Sequence, residues 1–86
     1  MHETGLTRRL VELALARAEG RPLRAVGVRI GALTGISPAH LREHWDEAVR
    51  GTAAASARLE VQASEDPLDA HAAGVVLLWV EVVPPA

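Results

Sequence analysis

Cysteine, lysine, phenylalanine and tyrosine are all absent from this 86-residue chain, and tryptophan occurs only twice. Without cysteine there is no disulfide, no thiolate zinc site and no thiol nucleophile. With almost no aromatics, the core has to be built from Leu, Val, Ile and Ala. Nearly half the residues are hydrophobic, 49%, which is enough for one domain near the lower size limit for unaided folding. Nine arginines against eleven acidic residues leave a formal charge of −2, which gives no electrostatic case for nucleic acid or anionic lipid. No apolar run is long enough to span a membrane: Gly74 to Ala86 is too short and carries Glu81. The charged N-terminus lacks the apolar stretch of a secretory leader, so a cytoplasmic location is expected. Gly27, Gly31 and Gly35 do not follow phosphate-loop or dinucleotide spacing, and no Ser/His/Asp arrangement can be assigned. Nothing argues for a self-contained enzyme.

What is present sorts into five elements. Leu6, Leu10, Leu13 and Ala14 recur at helical spacing within Glu3–Glu19, with Thr4 as a possible cap and Gly20 and Pro22 as the stop. Leu23–Ala32 reads as a strand, since Val26, Val28 and Ile30 alternate with Gly27 and Arg29. Ser37-Pro38 opens a second helix through Leu41, Trp45, Ala48 and Val49, with Gly51 as its stop. Arg58–Ala63 is a second strand with one dry face. Ser64–Ala73 is a polar loop, and Gly74–Val83 is a third strand that is apolar on both faces, as in a central or covered strand. The order α-β-α-β-β predicts one two-layer α+β domain over residues 1–86, a three-stranded mixed sheet with two helices on one face. The first two strands are expected to be parallel by a right-handed crossover. The last two, about ten residues apart, are expected to be antiparallel.

Metal-ligating chemistry concentrates at the start. Met1 brings a terminal amine, His2 an imidazole and Glu3 a carboxylate. The amine, the His2 amide and the His2 imidazole can close one chelate, a nitrogen array suited to Ni(II) or Cu(II). The amine titrates near ~8, so part of it is free at neutral pH. The same three residues also suit an ordinary solvated terminus, and a carboxylate at Glu3 is favoured by the helix dipole with or without a metal. A second cluster, His40-Leu41-Arg42-Glu43-His44, fits the H-x-x-E-H pattern of inverted zinc peptidases. A peptidase needs a third ligand from a large second segment and a cleft, which 86 residues do not readily supply. A solvated, salt-bridged helix face is the simpler reading, with a surface site for Ni or Zn at His40 and His44 as a secondary candidate. His71, near Asp69, reads as a loop histidine.

Together these residues resemble the HypA/HybF family of hydrogenase maturation nickel chaperones. The resemblance rests on Met1-His2-Glu3 followed by an amphipathic helix, and on Val26-Gly27-Val28-Arg29-Ile30-Gly31-Ala32-Leu33-Thr34-Gly35-Ile36, similar to the family's V-x-L-R-I-G-x-L-S-G-V. Pro38, Leu41 and Trp45, then Arg50-Gly51-Thr52, Ala57-x-Leu59-Glu60-Val61 and Val80-Glu81-Val82 extend it over most of the chain. It implies Ni(II) held through His2, with the Met1 amine and Glu3 as close neighbours. It also implies delivery to a [NiFe] hydrogenase large-subunit precursor with a maturation GTPase as partner. The family inserts a zinc domain with two C-x-x-C pairs between the second and third strands. Here residues 65–73 stand in that place, so no zinc is expected.

The doubly apolar last strand suggests a partner surface. With both helices on one face, Leu77 and Trp79 are expected on the other, uncovered face, where a homodimer or a maturation partner would dock. Two functions of different class follow: a metal-delivery protein using His2, or a non-metal interaction or assembly module using the sheet. A general divalent-metal buffer using His2, His40 and His44 is a third.

Overall fold

The computed structural model describes residues 3–85, with side chains from Gly5 onward. The five elements appear in the expected order: α1 (Glu3–Arg17), β1 (Leu23–Ile30), α2 (Pro38–Ala48), β2 (Arg58–Ala63) and β3 (Val75–Val82). Their ends fall within about two residues of the sequence reading, the usual scatter of helix and strand boundaries.

In α1 the buried positions are Thr7, Leu10, Val11 and Ala14, a stripe at helical spacing that Ala18 continues just past its end. Leu13, expected on that face, is exposed, and Val11 takes its place. The helix stops on Glu19 and Gly20, both left-handed at φ 53° and 78°, and the Gly20 amide donates to the Leu15 carbonyl at 3.3 Å. Helix α2 starts as its sequence dictates. Ser37 is the extended N-cap, its hydroxyl accepts from the His40 amide at 3.1 Å, and Pro38 follows in the first turn. Its inner face carries Leu41 and Trp45, each 1% exposed.

The sheet order is β2-β1-β3. β1 and β2 run parallel, with Val26 opposite Leu59 and Val28 opposite Val61, as expected for strands joined through a helix. β3 is antiparallel to β1, not paired to β2. The last two strands therefore run in opposite directions but lie on opposite edges. The central strand is β1, and the apolar β3 is an edge. Both helices pack on one face of the sheet. Helix α1 contacts β3 and α2 contacts β2, while the two helices also contact each other.

Cross-strand partners share a face. Val26 with Val80, Val28 with Leu77, and Ile30 with Val75 point to the helices and join the core with Leu10, Trp45 and Leu59. Gly27 with Trp79, and Arg29 with Val76, point away from them. Between these sets the register slips: Gly27 pairs with Trp79 and Val28 with Leu77, leaving Leu78 without an opposite residue. This β-bulge reverses the in–out alternation of β3 halfway along its length.

Candidate metal centre

Met1 and His2 lie outside the described residues, as does the side chain of Glu3. The helix that follows them is described. Its first turns meet α2, the loop between β1 and α2, and the start of β3. Leu6 lines a hollow with Leu33, Thr34, Ile36, Gly74 and Val75, and Arg8 shares a groove with His44, Glu47 and Ala48. The start of α1 therefore packs at the same end of the molecule as His44.

His40 and His44 are brought together by α2. Four residues apart on one helix face, their ring centres are 4.9 Å apart with the planes tilted by 35°. His40 is exposed and His44 half-buried. Among the described residues no three or more His, Asp or Glu side chains gather as a metal cage. The peptidase reading of H-x-x-E-H gains no third ligand there.

The loop between β2 and β3 is more ordered than its polar sequence suggests. The Ser64 amide donates to the Ile30 carbonyl at 2.9 Å, and Gly74 accepts from the Gly31 amide at 2.9 Å. The Leu33 amide donates to the Ala72 carbonyl at 2.8 Å. Arg29 pairs with Asp69 at 2.7 Å and donates to the Ser64 hydroxyl at 3.2 Å. Asp69 also accepts from the His71 amide at 2.8 Å. That backbone bond, and then the Arg29 and His71 charges, hold the Asp69 carboxyl below its ordinary value against a partial burial that opposes them. His71 takes part through its backbone, and its side chain is exposed.

The two residues expected on the uncovered sheet face separate. Leu77 is buried in the core, 8% exposed, because the bulge at Leu78 turns it toward the helices. That corrects the expectation from simple alternation. Trp79 does face away from the helices, where its indole lies over Gly27 so closely that a Cβ on Gly27 would overlap the ring. Gly31 is held as tightly, against the carbonyls of His71 and Ala72. A glycine inside a strand often marks such an approach. Gly27 and Gly31 were thus the available signals for contacts that periodicity alone does not reveal.

Comparison with known proteins bears on the same stretch. A family model described as hydrogenase/urease nickel incorporation, metallochaperone, hypA matches residues 1–71. Hydrogenase maturation factor HypA of Geobacter sulfurreducens is 38% identical over 61 residues, covering 71% of this chain and 56% of the relative. The same factor from Geotalea daltonii is 34% identical over 62 residues (72% and 56%), and that from Rippkaea orientalis 33% over 61 (71% and 54%). The chain spans about half the length of the curated relatives it matches. A match over residues 1–71, which takes in α1, β1, α2 and β2 of the α+β fold seen here, means that this chain belongs to the HypA family.

Proposed function

We propose that this chain is a nickel-binding accessory protein for hydrogenase maturation that takes up Ni(II) at its N-terminus. His2 supplies the imidazole, Met1 the terminal amine, and Glu3 a neighbouring carboxylate. The observation that carries the reading is the family match, which begins at residue 1 and so includes Met1-His2-Glu3. The chemistry of the donor set supports it, since amine, amide and imidazole nitrogens suit Ni(II). In the same reading the ion passes in the cytoplasm to a hydrogenase large subunit, with a maturation GTPase as partner. The protein rearranges no substrate bonds and is not an enzyme. Residues 65–73 stand where the family carries its zinc domain, and the chain offers no thiolate to hold zinc.

A calorimetric Ni(II) titration of untagged protein with an authentic Met1 amine, beside a His2→Ala variant, tests this. The expected result is that the variant loses one equivalent of the Ni(II) that the native chain binds. Undiminished binding in His2→Ala overturns the terminal site.

A second reading is an assembly module that uses the outer sheet face, and the placement of Trp79 favours it. As a homodimer or a docked complex it would bury Trp79. A monomeric mass across micromolar concentrations counts against the homodimer.

A further inference from the structure

Helix α2 carries two imidazoles at positions that the nickel-site reading above does not use. His40 and His44 are one turn apart on one face, with ring centres separated by 4.9 Å. A metal–nitrogen bond of about 2.0–2.1 Å places an imidazole centre about 3.2 Å from the ion, so two rings bound side by side have centres about 5 Å apart. The helix already holds the rings at that spacing. The backbone that sets it is itself fixed. The His40 amide is satisfied by the Ser37 hydroxyl, and Trp45, next to His44, is locked in the core.

We infer that His40 and His44 bind one borderline divalent cation, Ni(II) or Zn(II), as a second metal site independent of the N-terminus. Imidazole is a suitable donor for these ions. Two protein donors leave the remaining coordination positions to water. Two features work against a cation there. Arg8 of α1 lines the groove beside His44, and His40 sits in the first turn of α2, where the helix dipole is positive. The dipole costs about 0.3–1 kcal/mol at an exposed position. It weakens the site without removing it, and favours a loosely held ion that exchanges readily.

The test is a Ni(II) titration of four untagged, full-length proteins: the native chain, His2→Ala, His40→Ala with His44→Ala, and the triple variant. Circular dichroism checks that each is folded, which alanine in a helix should preserve. The His2→Ala protein is expected to bind one ion, and the triple variant to bind at least about tenfold more weakly, since losing even a supporting group at a metal site costs about 10–100-fold. Zn(II) should repeat the pattern. A His2→Ala protein that binds nothing overturns the proposal, as does binding that survives unchanged in the triple variant. If the native chain and His2→Ala bind alike and only the paired variant loses the ion, the helix site stands and the terminal site falls.

Discussion

Gly31→Ala tests whether the β2–β3 loop is a structural part of the domain. A Cβ at Gly31 would collide with the backbone carbonyls of His71 and Ala72, which cannot swing aside as the end of a flexible side chain would. The loop must therefore lift. Two hydrogen bonds sit at that contact, from Gly31 to Gly74 at 2.9 Å and from Leu33 to Ala72 at 2.8 Å. At a net ~0.5–1.5 kcal/mol each, their weakening costs about 2 kcal/mol, and partial exposure of the buried Ala72 adds to it. Replacing glycine restores about 0.4–1 kcal/mol through the unfolded chain. A net loss of roughly 1–2 kcal/mol is expected, a large share of the 5–15 kcal/mol typical of native domains. Urea unfolding followed by the fluorescence of the buried Trp45 reads it directly. The midpoint should fall by roughly 0.5–2 M at an unchanged slope near 1–2 kcal/mol/M. Gly74→Ala is the control, because nothing lies within 4 Å of its Cβ position. If Gly31→Ala is as stable as Gly74→Ala, the loop does not pack on β1 and the reasoning fails.

Other positions give independent checks. Trp45 is 1% exposed and its indole N–H has no hydrogen-bond partner among the described residues, so Trp45→Phe removes a donor worth ~1–3 kcal/mol when left unpaired, along with some packing. Thermal unfolding by circular dichroism should show a net change within about 1 kcal/mol, against a loss of about 3–5 kcal/mol for Trp45→Ala; a Phe variant as damaged as the Ala one would mean that the N–H is satisfied. Ser37→Ala removes the cap on α2 and should cost about 1 kcal/mol, with no effect if the Ser37–His40 bond is absent in solution. The Asp69 carboxyl is held below its ordinary value of 3.8 in the folded state, so its contribution is full above that value and is lost as pH falls through the folded one. Asp69→Asn should therefore flatten the acid limb of the stability curve, and an unchanged limb would show that neither the His71 amide bond nor the Arg29 pair contributes.

The parts of this fold that are written locally were legible. Ser37-Pro38 marks the start of α2, and Val26, Val28 and Ile30 mark the buried face of β1, because capping and alternation act over a few residues. The parts that depend on distant pairing were not. A ten-residue linker can carry the chain to either edge of the sheet, so nothing local places β3 beside β1. The bulge at Leu78 is equally silent in sequence, yet it decides that Leu77 belongs to the core and Trp79 to the outer face. The same division holds for the candidate sites. The approach of His40 and His44 follows from helical spacing alone. The Arg29–Asp69 pair joins residues forty positions apart and shows only once the sheet order is known.

The sheet order also bears on how this family fold accommodates a short loop where the resemblance places a whole zinc domain. Because β3 lies on the far side of β1 from β2, the connecting segment has to pass the end of β1. Its two ends are fixed there side by side, Ser64 to Ile30 and Gly74 to Gly31. Adjacent residues at the end of β1 thus hold both ends of the segment, so a change in its length need not alter the geometry of the sheet. The entropy of closing such a loop rises only slowly with length, about 0.6 kcal/mol per doubling. A long insertion and a short loop are then nearly equivalent for the domain beneath, whose core is drawn from all three strands and the two helices. The short form has one further requirement, that the loop itself be held, and Asp69 and Gly31 meet it.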